Sequence, residues 1–155
     1  MSTGVDKFSV ILHIGENETV LTKKADGEKT FTVAIGNTST SAAYFSHIPP
    51  TDAEIEMAIN DVEDKLMPLT AEFKTGSHQL ISSDPIVREI GAHANMESGE
   101  LSIREMENVF SRFAAIVSGR PASMDTLPLS SEFAAGLLIL REVMHHLDFK
   151  SIIIK

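Results

Sequence analysis

The sequence has no cysteine, no tryptophan and a single tyrosine, and it is short of basic residues, with 13 Lys and Arg against 22 Asp and Glu. Without cysteine there is no disulfide framework, no thiolate zinc site and no cysteine nucleophile. The formal net charge of −9 repels polyanions on average, so nucleic acid, polyphosphate or anionic lipid would need a local basic patch. One basic cluster exists, Lys23, Lys24 and Lys29 around Asp26-Gly27, and it reads first as charged hairpin edges that discourage sheet-to-sheet pairing. No apolar run approaches the roughly 20 residues that span a bilayer, and the opening MSTGVDKF lacks the basic and apolar regions of a secretion signal. These absences point to one cytoplasmic domain over residues 1–155, with no membrane and no nucleic-acid partner.

What is present is an ordinary globular composition, 43% hydrophobic and 23% charged, arranged in short periodic segments. Lys7 to Ile14, Thr19 to Lys24 and Thr30 to Ile35 are apolar and β-branched, separated by turn residues, and predict three strands. Asp26-Gly27 supplies hairpin chemistry between the second and third. Thr40 to Ser46 suggests a helical turn. Thr51-x-x-Glu54 is a capping box, after which Ile55, Ile59, Val62, Leu66 and Leu69 lay one apolar stripe along a helix that Pro68 ends or bends. Gln79 to Ser82 predicts a fourth strand, and Asp84-Pro85 an N-cap followed by a first-turn proline. Ser102-x-x-Glu105 is a second capping box, for a helix stopped by Gly119 and Pro121. Ser130 or Ser131 caps a strongly apolar helix, and Ser151 to Ile154 reads as a central parallel strand.

The order β-β-β-α-β-α-α-α-β predicts an α/β fold, the ribonuclease H-like half of an actin-like ATPase. That is three layers, a mixed five-stranded sheet with an antiparallel meander and then parallel strands, and helices on both faces.

Six pieces of the chain, in order, resemble the second domain of the exopolyphosphatase/guanosine pentaphosphatase (Ppx/GppA) family. They are His13-Ile14-Gly15-Glu16-Asn17-Glu18-Thr19-Val20, Ile35-Gly36, Pro49-Pro50-Thr51-Asp52-Ala53-Glu54, Ile81 to Arg88, Leu101 to Glu107, and Ala134 to Leu140. The resemblance runs from about residue 7 to residue 155 and rests on the order of the pieces rather than on any one of them. It implies a loop where Asp-Ile-Gly-Gly-Gly-Ser-Thr-Glu cradles phosphate and a cation, facing a preceding domain that carries another phosphate loop and the catalytic carboxylate. Here His13 stands for the Asp, Glu16 and Asn17 for two glycines, Glu18 for the Ser and Val20 for the Glu, while Ile14, Gly15 and Thr19 persist. The family's second glycine-rich loop reads Ser82-Ser83-Asp84-Pro85, and no counterpart of the preceding domain is found in the 155 residues.

Carboxylates a few ångströms from phosphate oxygens repel them, so the expectation is a domain without catalytic residues, inactive alone. It would act as a binding, regulatory or scaffold module, a pseudoenzyme joined to a second copy or to another protein through the surface that would face the preceding domain. The alternative is half of a Mg²⁺-dependent polyphosphate or guanosine-pentaphosphate phosphohydrolase, completed by a separate first domain. Its site would be the degenerate loop of Gly15, Glu16, Asn17, Glu18 and Thr19, with Mg²⁺ required only if phosphate binding survives. Gly36, Asn37, Thr38 and Ser39, with Thr40 and Ser41 after them, form a second candidate anion loop.

No metal site is expected. His13 with Glu16 and Glu18 has acceptable ligand chemistry but no fourth ligand, and His145 and His146, about 100° apart on a helix, do not share one ion. His47, His78 and His93 are isolated in the sequence and read as surface or capping residues.

Overall fold

A computed structural model describes residues 8–73, 78–96 and 98–155. The first strand, β1 (Ser9–Ile14), alternates as a half-buried strand must, burying Val10, Leu12 and Ile14 and turning Ile11 and His13 outward. The expected Lys7 lies outside the described residues. β1 pairs antiparallel with β2 (Thr19–Ala25), and β2 with β3 (Gly27–Val33). Gly27 closes that second hairpin at φ +100°, a left-handed conformation that a Cβ would strain.

Two helices follow. α1 (Asn37–Tyr44) is eight residues long where the sequence suggested a single turn. α2 (Asp52–Leu66) begins at the expected box: the Glu54 N–H donates to Thr51 Oγ1 at 3.2 Å and the Thr51 N–H to Glu54 Oε1 at 2.9 Å. Pro68, which has no N–H, falls in a 3₁₀ turn (Met67–Leu69) that leads into the short α3 (Thr70–Phe73).

β4 (Gln79–Ser82), α4 (Pro85–His93), β5 (Glu100–Ser102), α5 (Ile103–Val117), α6 (Ser131–His146) and β6 (Ser151–Ile154) complete the chain. β5 was not expected. It is too short to display alternation, and its last residue, Ser102, doubles as the N-cap of α5.

Among the described residues six strands, one more than expected, form a mixed sheet in the order β3-β2-β1-β4-β6-β5. β1, β4 and β6 run parallel, and β5 pairs antiparallel with β6 at the edge. The register places Val10, Leu80, Ile152 and Leu101 in one buried row. One residue along, it aligns Ile11, Ile81 and Ile153 on the opposite face, where Ile11 is 38% exposed and the other two are half-buried. α6 is the hub of the helical part, packed against α1, α2, α4 and α5 with residues buried all around its circumference. No helix among the described residues is long and apolar enough to cross a membrane.

Candidate functional site

Because β1, β4 and β6 are parallel, their carboxyl ends share one side of the molecule, the side where open α/β sheets hold ligands. The β1–β2 hairpin lies there, its Gly15 N–H bonded to the Glu18 carbonyl at 2.9 Å. Buried Thr19 donates its hydroxyl to the Ile35 carbonyl at 2.8 Å, which draws the end of β3 against the start of β2. The start of α1 then comes onto the hairpin. Asn37 N–H donates to the Gly15 carbonyl at 3.0 Å, and Thr38 and Ser39 N–H donate to the Glu16 carbonyl at 3.0 and 2.9 Å. A Cβ on Gly36 would stand 2.4 Å from the Glu16 carbonyl, so only glycine admits this approach.

The two candidate anion loops, Gly15 to Thr19 and Gly36 to Ser39, are therefore one assembly. Its chemistry differs from that of a phosphate cradle. The first amides of a helix are orphan donors that suit an anion; here those of Asn37, Thr38 and Ser39 are given to the chain's own carbonyls. Glu16, Asn17 and Glu18 expose their side chains, two of them carboxylates.

Asp84 completes the site in a way the sequence reading missed. It occupies the N-cap position of α4, yet its side chain does not cap that helix. Its Oδ2 accepts the Ile14 N–H at 2.7 Å and its Oδ1 pairs with His13 Nδ1 at 2.7 Å. Asp84 is 8% exposed, whereas the His13 side chain is 61% exposed. The buried carboxylate thus fixes the orientation of an exposed imidazole at the end of β1. The available signal was positional, since His13 lies at the end of β1 and Asp84 two residues past the end of its parallel neighbour β4, but the Asp-Pro cap signature supplied a complete local explanation for Asp84.

The other candidates have structural partners. Lys23 Nζ donates to the Glu72 carbonyl at 2.7 Å and lies 4.3 Å from the Phe8 ring centroid, and Lys29 donates to Glu72 Oε1 at 3.0 Å. That hydrogen bond from Lys29 holds the Glu72 carboxyl below its usual range. Lys23 and Lys29 thus fasten the β2–β3 hairpin to α3, while Lys24 pairs across the hairpin with Glu28. His47 pairs with Glu54, and His78 stacks on Phe8, where burial lowers its pKa. His93 packs edge-on against Phe133. His145 and His146 diverge as expected, His145 toward Glu107 and His146 toward Glu142 and Glu63. Among the described residues His13, Glu16 and Glu18 do not gather as a three-ligand cluster.

No family model and no curated protein matches this chain. Solved structures do. The type II variant of the Aquifex aeolicus Ppx/GppA phosphatase matches 98% of the chain at a TM-score of 0.75 and 14% identity, over 53% of its own length. The chain has the fold of a Ppx/GppA domain. An exopolyphosphatase from Cytophaga hutchinsonii matches 99% of it at a TM-score of 0.68 and 15% identity, over 55% of its own length. An exopolyphosphatase-like protein matches 98% at a TM-score of 0.72 and 15% identity, again over 55%. The chain thus spans about half the length of the Ppx/GppA structures it matches. At this identity the likeness speaks for the Ppx/GppA fold, and the chemistry rests on the side chains described above.

Proposed function

We propose that this Ppx/GppA-like domain does not hydrolyse phosphate by itself and acts as a binding module for another protein chain, first of all a second copy of its own. The observation that carries the reading is the assembly at the strand ends. The amides of Ile14, Gly15, Asn37, Thr38 and Ser39 are committed to Asp84 or to main-chain carbonyls, and the exposed groups beside them are the carboxylates of Glu16 and Glu18. The association is assigned to the sheet face with Ile11, Ile81 and Ile153 in register. A two-fold axis would lay that row on itself and withdraw apolar surface from water on both copies.

One observation favours a second reading, a phosphohydrolase half located in the cytoplasm and completed by a separate first domain. The loops stand at the carboxyl ends of parallel strands, and Mg²⁺ could bridge Glu16 and Glu18 to a polyphosphate or guanosine nucleotide. One set of measurements separates the two. Under the binding-module reading, polyphosphate and guanosine nucleotides with Mg²⁺ neither shift the thermal midpoint nor release phosphate, with or without an added Ppx/GppA first domain. The wild-type chain then sediments as a dimer that Ile11→Glu dissociates. Mg²⁺-dependent release on mixing with the first domain would overturn that reading in favour of the hydrolase half. A wild-type monomer would overturn self-association.

A further inference from the structure

On the helical side, α6 carries a charged residue where a packed helix should have none. Glu142 is 2% exposed, and every other buried residue of α6 is apolar or glycine. Burying a carboxylate is costly unless it is paired, and Glu142 has pairs on both oxygens. Arg141 Nη1 donates to Oε2 at 2.8 Å, and His146 Nε2 lies 3.1 Å from Oε1. His146 sits one helical turn beyond Glu142, on the same face. Its Nε2 is also 3.4 Å from Oε2 of Glu63, on α2.

We propose that Glu63, Glu142 and His146 form a divalent transition-metal site, of the zinc class, between α2 and α6. The three donor atoms lie within 4.8 Å of one another. Tetrahedral zinc, with bonds of about 2.0–2.2 Å, sets its ligands roughly 3.3–3.5 Å apart, close to the 3.1 and 3.4 Å found around His146 Nε2. The Glu63 side chain, 43% exposed, can swing to close the third edge. Arg141 holds the second oxygen of Glu142 and also bonds Glu107, so it orients the ligand without occupying the ligating oxygen. Charge points the same way, since Arg141 already serves two carboxylates, Glu107 and Glu142, and Glu63 brings a third to His146. One imidazole nitrogen with two carboxylate oxygens suits zinc-class ions, whereas Mg²⁺ demands an octahedral shell of oxygens. A water would fill the fourth position. His145, turned toward Glu107, takes no part.

The test uses the full chain, stripped with chelator and titrated with Zn²⁺ by calorimetry, with the thermal midpoint followed in parallel. One Zn²⁺ per chain and a midpoint raised by several degrees are expected, with no response to Mg²⁺. Glu63→Gln and His146→Gln should each weaken binding by at least about tenfold, and His145→Gln should leave it unchanged. Should His146→Gln fail to fold by circular dichroism, Glu63→Gln, altered at an exposed side chain, carries the test. Absence of stoichiometric uptake would overturn the proposal and leave His146 as an ion-pair partner of the two glutamates. Uptake unaffected by Glu63→Gln would overturn it as well.

Discussion

At the scale of single residues Asp125 is a heavily bonded side chain, accepting four hydrogen bonds. Arg112 grips it at both oxygens, Nε to Oδ2 at 3.0 Å and Nη2 to Oδ1 at 2.6 Å, while Thr126 and Leu127 N–H donate to Oδ1. The same guanidinium reaches the His93 carbonyl at 2.6 Å, so one arginine ties α5, the end of α4 and the loop after α5 together. Arg112 holds the Asp125 carboxyl well below its ordinary value of 3.8, against the opposing effect of burial. A depressed folded pKa gives stability that is fully present above the unfolded value and is lost as pH falls through the folded one. Asp125→Asn should therefore cost about 2 kcal/mol at neutral pH, read from urea denaturation. The gap to wild type should narrow only below roughly pH 4; a gap that stays constant into acid would refute the charge argument. The candidate site shows how far residue identity reaches. Gly15 and Thr19 are legible as turn and strand residues, but the need for glycine at 36 arises from the Glu16 backbone, twenty residues away in sequence. The His13–Asp84 pair spans a still longer separation that no local signature encodes.

At the scale of elements, what was readable was whatever is decided within a few residues. Both capping boxes formed, since the Ser102 and Thr51 hydroxyls and the Glu105 and Glu54 carboxylates need only their own first turn. The α5 box is the one on which two elements depend, because Ser102 ends β5 and starts α5. Ser102→Ala should destabilise the chain by about 1 kcal/mol, measured by chemical denaturation, with the helical circular dichroism of the folded state kept. No change would mean that the Ile103 N–H bond to the Lys150 carbonyl at 2.8 Å already fixes that junction. β5 escaped the sequence reading for the complementary reason: three residues hold no period, and pairing with β6, some fifty residues later, is what makes them a strand. α1 was underestimated because Asn37 to Ser41 is rich in residues that favour caps and turns, while its support comes from the carbonyls of Gly15 and Glu16.

At the scale of the whole molecule the sheet and helices differ in how deeply they are held. α6 contacts four other helices and is buried nearly all round, so freeing its amides requires opening the core itself. β3 is the opposite case. It is an edge strand paired only with β2, and of its seven residues only Val33 is buried and Phe31 half-buried. Local opening free energies run from near zero at such edges to the global value in the core. Native-state hydrogen exchange should therefore find the slowest amides in the middle of α6, closing on the stability obtained by denaturation, and the fastest strand amides in β3. The interior strands β1, β4 and β6 should follow α6 rather than β3, since Val10, Leu80 and Ile152 are buried beneath the same helical layer. If α6 exchanged as quickly as β3, it could not be the element around which the other helices are organised. The divalent site proposed on it would then lack the rigid platform that its ligand spacing requires.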